Sequence, residues 1–278
     1  MTLRYENRKI PDDINKNKDH PLKEFLWLGI GLLLVGALVV VFSGWAGQTL
    51  ARFIPFSYEQ EMAERFADDL DESEHPDIEA YLQAMADEIS VAINLPDEMR
   101  ITAHYVDSEV VNAFATIGGH IMIFRGLIEE SPSENALAMV VGHEIAHIKH
   151  RDPIVALSRG VMSLVALQLL TGSSGNEIVA RLMGDAGLLS SMHFSRQQES
   201  AADVDGLAAV MKRYGHTEGA SSIFEVFLQA EASDELSLPA MFQSHPASRK
   251  RLDAMSQQAE KNQWPQTGDL TPLPEIFQ

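Results

Sequence analysis

The chain has 278 residues, 45% of them apolar, enough to bury a sizeable core and too apolar for a disordered chain. Its formal charge is −19, from 40 acidic against 21 basic residues, which argues against the basic face that nucleic acid requires. There is no cysteine, so disulfide scaffolds, thiol catalysis and every cysteine-based zinc or iron–sulfur site are excluded.

Residues 1–24 form a mixed-charge leading segment. Residues 25–47, FLWLGIGLLLVGALVVVFSGWAG, are 23 residues without a charge, and a helix needs about 20 to cross a bilayer. This run exceeds the roughly 7–15 apolar residues of a cleaved signal peptide, so a retained span is expected, with Gly44 and Ala46 as the small-residue alternative. Arg4, Arg8, Lys9, Lys16, Lys18 and Lys23 precede the span, and only Arg52 and Arg65 follow it closely. That asymmetry keeps the N-terminus in the cytoplasm and places the rest outside, in the periplasm of a Gram-negative cell.

Residues 57–95 read as helical, with Ser57 as a cap and Pro76 opening a second stretch of helical periodicity. MRITAHYV (99–106) alternates like a strand. VNAFAT, Ile117-Gly118-Gly119 and HIMIF read as two strands joined by a tight turn. Ser133 is a start signal for the helix ENALAMVVGHEIAHIKH. Residues 153–171 and 176–190 read as two further helices, a hairpin packed near the site mouth, with a membrane-dipping segment as the alternative. The uninterrupted apolar stretch Gly160–Leu170 is 11 residues, too short to span. A helix from Ser191 to Tyr214 should stop at Gly215. Thr217–Ala230 and Ala247–Glu260 are the last helical segments, and from Trp264 the chain is proline-rich and irregular.

His143-Glu144-Ile145-Ala146-His147 is an HExxH motif. On a helix its two imidazoles share a face and can reach one metal ion, with the intervening glutamate beside it as a proton acceptor. Burying two histidines and a glutamate in so apolar a helix without a partner would be costly, and a metal removes that cost. Zinc needs a third protein ligand and an open position. The metzincin extension is absent, because His150 and Pro153 stand where glycine and histidine would be required. Glu199 on a later helix is the best candidate for the third ligand, the alternative being a solvated acidic helix face. Asp203, one turn on, can accept a hydrogen bond from a ligating imidazole, and Arg196 can orient a carboxylate.

Four blocks in order, VNAFATIGGHIMIFRGLIEES, ALAMVVGHEIAHIKHRD, SRQQESAADVDG and SHPASRKR, resemble metallopeptidase family 48, the HtpX-like and CAAX-prenyl-endopeptidase-like gluzincins. The resemblance covers roughly residues 57–260 and lies nearest the single-span or periplasmic, BepA-like and Oma1-like members. It implies an α+β, mostly helical zincin-type domain with a small sheet or hairpin beside the HExxH helix, following one transmembrane helix. It implies one zinc per chain, held by His143, His147 and Glu199, with Glu144 as catalytic base and Asp203 behind the ligands. His245 matches the family's His-Pro block, as an extra ligand in a latent state or as a donor to the transition-state oxyanion; a plain turn residue is the structural alternative. Arg249 and Arg251 anchor that block by ion pairs or lie on a solvated face.

The expected function is a membrane-anchored zinc metalloendopeptidase acting on misfolded or misassembled membrane and envelope proteins. The rival is a chaperone-like binding protein with little turnover. The strand His120, Ile121, Met122, Ile123, Phe124 is expected to pair with an extended substrate. The expected partners are polypeptide substrates, the membrane through residues 25–47, and either a second copy of the chain or an envelope assembly partner, with no nucleic acid. The expected organisation is a cytoplasmic segment 1–24, a span 25–47, a peptidase domain 57–260 and an irregular tail 261–278.

Overall fold

The computed structural model describes residues 21–67, 75–171, 194–232, 240–241, 245 and 248–277. Helix α1 (Pro21–Ala51) contains the whole apolar run, and most of its large side chains face outward, Leu38 at 67% and Phe42 at 64% exposure. Helix α2 (Phe56–Ala67) starts one residue before Ser57, which therefore lies inside the helix and does not cap it. Helix α3 (Pro76–Ala92) carries proline at its start, where no backbone donor is needed.

Strands β1 (Thr102–Val106), β2 (Ala113–Ala115) and β3 (His120–Phe124) form one sheet in the order β1-β3-β2. β1 runs parallel to β3 with Thr102 opposite His120. β2 runs antiparallel to β3 with Ala115 opposite Ile121, so the expected hairpin is present. Its turn, Ile117–Gly119, has both glycines at positive φ, 79° and 94°, and a Cβ on Gly119 would run into the Arg100 carbonyl.

Helix α4 (Arg125–Glu130) leads into α5 (Glu134–Lys149), the HExxH helix. Ser133 caps α5 by accepting from the Ala136 N–H, as its position predicts. Every residue of α5 from Glu134 to Ile148 is buried, because α3, the sheet and α7 (Arg196–Tyr214) cover it from several sides. α7 starts on a Ser195/Gln198 capping box and ends at Gly215 in the left-handed conformation. α5 and α7 cross where Gly142 meets Gly206. A Cβ on Gly206 would come within 3.1 Å of the His143 backbone nitrogen, so the two small residues set how closely the helices approach.

Helix α6 (Asp152–Thr171) packs alongside α1. It is 20 residues long, and Asp152–Leu170, like Leu22–Ala51, is long and apolar enough to cross a membrane by length and composition. The helix expected over 153–171 is present and starts one residue earlier, and the expected partner helix 176–190 lies outside the described residues. α8 (Ser222–Ala232) and α9 (Arg249–Lys261, capped by Ser248) complete the helices. The segment from Trp264 is irregular up to a closing 3-10 turn, as expected, yet it packs back on the domain. The Glu134 N–H donates to the Thr271 carbonyl, the Thr271 N–H donates to Asn135, and Phe277 meets Tyr81 edge-on.

Candidate metal centre

His143 and His147 sit one turn apart on α5, and their Nε2 atoms are 3.1 Å apart. Each Nε2 is 3.5 Å from a carboxylate oxygen of Glu199, which α7 brings across at the Gly142–Gly206 crossing. Two nitrogens bound at about 2.0–2.1 Å to one tetrahedral zinc lie about 3.3 Å apart, so this spacing fits such an ion. Both outward nitrogens face a carboxylate: Asp152 bonds His147 Nδ1 at 2.9 Å, and Asp203 lies 3.1 Å from His143 Nδ1, within ion-pair reach but misaligned for a hydrogen bond. A carboxylate on Nδ1 fixes the tautomer with the proton outward and turns the Nε2 lone pair toward the ligand position. Glu199 Oε2 and Glu144 Oε1 are buried without a hydrogen bond, as expected of atoms that face a cation or the reacting groups.

Arg251 closes the outer layer. Its Nε and Nη2 reach both oxygens of Asp203 at 2.8 and 2.7 Å, and Nη1 lies 2.9 Å from Glu199 Oε2, within ion-pair reach but misaligned for a hydrogen bond. Burial would lift the Asp203 carboxyl, but its bonds with Arg251 and His143 outweigh that and hold it below the usual range. The same balance holds Glu199 well below its ordinary value, through His143, His147 and His245. Burial alone would lower His143, whereas its contacts with Asp203 and Glu199 push it up to about 10. A cation set among these nitrogens would compete with those protons, as metal binding generally does.

Glu144 is fully buried, and burial pushes its carboxyl upward against the nearby histidines. Its Oε2 accepts from the Ala115 N–H at 2.9 Å, which ties the glutamate to β2. His245 is 2% exposed; its Nδ1 lies 2.9 Å from Glu199 Oε1 and 3.3 Å from His143 Nε2, and its Nε2 lies 3.6 Å from Glu144 Oε1. Ligand atoms of His143, His147, Glu199 and His245 all lie within 4.8 Å of one another. Phe194 stacks on His147 with centroids 4.1 Å apart.

The structure thus gathers His143, Glu144, His147, Glu199, Asp203 and His245 at one place. Two expectations are corrected. Arg196 is exposed at the start of α7, and the task of orienting the carboxylates falls to Arg251. β3 (His120–Phe124) lies between β1 and β2, so both of its edges are already paired and it cannot accept a substrate strand. Asp152 was missed by sequence reasoning. It lies five residues beyond His147, past a turn in which Arg151 adopts φ 64°, and no periodic pattern marks it. His104 and His120 bond each other at 2.8 Å, and His150 pairs with Asp205.

The model of Peptidase family M48 matches residues 72–259. The fission yeast (Schizosaccharomyces pombe) mitochondrial metalloendopeptidase OMA1 is 26% identical over 83% of this chain and 71% of its own length. The zebrafish (Danio rerio) mitochondrial metalloendopeptidase OMA1 is 27% identical over 82% of this chain and 53% of its own length. The beta-barrel assembly-enhancing protease of Escherichia coli K12 is 28% identical over 53% of this chain. The chain thus spans about half of the zebrafish relative and 32% of the bacterial one. With the family model covering more than half of its length, and the HExxH helix within the match, the chain belongs to Peptidase family M48 and is a metallopeptidase.

Proposed function

We propose that this metallopeptidase is a membrane-anchored zinc endopeptidase of zincin type, with His143, His147 and Glu199 as the zinc ligands and Glu144 as the general base. One observation carries the reading: two imidazole nitrogens and a carboxylate converge on one point, with a buried carboxylate facing each outward nitrogen. Bound there, zinc would supply a Lewis acid and a water of lowered pKa. The chain's own groups do the rest. The Ala115 N–H holds Glu144 Oε2, leaving Oε1 free to take a proton from the attacking water and pass it to the leaving amine.

Asn112 and Thr116 bond β3, so Ala113, between them, turns its N–H and C=O to the other edge of β2. That edge, beside Glu144, takes over the substrate-pairing role first expected of β3. Pairing through backbone is tolerant of sequence and suits unfolded polypeptide. With α1 as the anchor and the positive N-terminal flank inside, the domain would lie on the periplasmic face. Misfolded or misassembled envelope proteins are then the substrate class, in keeping with the bacterial relative's name.

The test is metal content and proteolysis of an unfolded protein for wild type, Glu144→Gln and His143→Ala. The expected results are zinc with activity, zinc without activity, and neither. A Glu144→Gln variant with unchanged turnover would sink the mechanism. One that captures substrate as wild type does, where wild type cleaves nothing, would favour the chaperone-like reading.

His245 supports a resting lock, because its imidazole stands among the ligand atoms and beside Glu144, where a water would be activated. His245→Ala should then raise basal proteolysis and self-cleavage while zinc is retained. A fall in rate would make His245 a transition-state donor instead.

A further inference from the structure

We infer that α6 is a second membrane-embedded helix, running beside α1 down to the middle of the bilayer. The inference rests on the reading of α1 residues 25–47 as a span. Three contacts fix the relation of the two helices. A Cβ on Gly47 would meet Met162 Cγ and the Ser158 carbonyl at 2.7 Å, one on Gly44 would meet Ser163 Oγ at 2.8 Å, and one on Gly36 would meet Leu170 Cδ1 at 3.6 Å. The helices are therefore antiparallel. Gly47 ends the span read over 25–47, and Gly36 is its central residue.

The eleven residues from Gly47 to Gly36 rise about 16 Å, which is half of a hydrocarbon layer about 30 Å thick. Ser158 to Leu170 covers about 18 Å along α6, so Leu170 comes to mid-bilayer depth. Its composition suits that path. Gly160–Leu170 holds no charge, and Arg159 lies opposite Gly44, near enough to the surface for its head group to reach the interface. The outward face fits lipid: Leu169 is 81% and Leu170 46% exposed. The glycines of α1 let the backbones approach, as apolar helix pairs in membranes require, and Ser163 turns its hydroxyl to that contact. Within a helix the backbone bonds are internal except at its ends, so an embedded α6 exposes only the carbonyls of its last turn at that depth, where an open strand would expose a whole edge.

The absence of cysteine makes the test direct. Leu38→Cys on α1, Leu169→Cys on α6 and Val91→Cys on the domain surface are made singly in the full chain. Each is labelled with a fluorescent maleimide and reconstituted in phosphatidylcholine vesicles, and quenching is measured by aqueous iodide and by lipids carrying a nitroxide deep in the acyl chain. The expected result is that Leu169→Cys behaves as Leu38→Cys, with deep quenching and iodide quenching at least about fivefold weaker than at Val91→Cys. Val165→Cys, one turn nearer Arg159, gives the same reading at lesser depth should Leu169→Cys fail to fold. Deep quenching at Leu38→Cys with iodide access at Leu169→Cys overturns the embedded α6 and leaves the anchor standing. Iodide access at both overturns the membrane reading itself, and this proposal with it.

Discussion

Arg251→Leu tests the outer layer of the site. The guanidinium is 13% exposed and faces Asp203 and Glu199, whose side chains are 6% and 5% exposed. Leucine fills much of the volume but leaves two buried carboxylates without their cation, with His143 the remaining partner of Asp203. Removing one partner of a buried pair costs about 3–5 kcal/mol. For a domain of this size that lowers the melting temperature of the metal-free chain by roughly 6–20 °C, at about 2–4 °C per kcal/mol. Metal affinity should fall about 10–100-fold, because Asp203 no longer holds the His143 ring in place.

Arg251→Lys should lie between the two, since an ammonium keeps the charge but cannot make the forked contact to Asp203. The assay is thermal unfolding of the full chain in detergent, with chelator and with zinc, together with zinc competition against a chelating dye. A leucine variant that unfolds within about 1 kcal/mol of wild type and binds zinc within about threefold would refute the argument.

Glu144→Gln should keep zinc and lose at least about a hundredfold in proteolysis, measured on an unfolded protein. Gly206→Leu should force α7 off α5, costing about 1–3 kcal/mol and weakening zinc retention, both read by unfolding with and without chelator. Burial lowers His104 and His120 below the ordinary histidine value, with Glu79 opposing the effect at His104. The folded state then binds fewer protons than the unfolded one, so the stabilising neutral pair is intact above pH about 6.5 and is lost as pH falls below it. His104→Gln with His120→Gln should flatten that slope in denaturant titrations between pH about 7 and 5. If α6 enters the bilayer, Asp152, six residues before Ser158, stands only about 9 Å above the end of the span. An unfolded chain tethered to the same vesicle should therefore be cut nearer its anchor than at its far end, as mass spectrometry of the products would show.

Much of the site was legible because its signals are local. The i, i+4 spacing of His143 and His147, the Ser133 cap, the Gly215 stop and the uncharged run 25–47 each follow from one stretch of backbone and its own side chains. Glu199 and His245 were found through ordered blocks, which name residues without giving distances. Only the tertiary structure decided who stands behind the candidate ligands. Asp152 reaches His147 through the turn at Arg151, and Arg251 reaches Asp203 across 48 residues of chain, contacts that no periodicity encodes. It also decided that β3 is paired on both edges. Alternation identifies β3 as a strand, but its central position depends on β1 arriving in parallel from outside the hairpin. The neighbour of α6 was decided in the same way: periodicity and composition gave a helix over 153–171, and only packing against Gly36, Gly44 and Gly47 of α1 gave it a place.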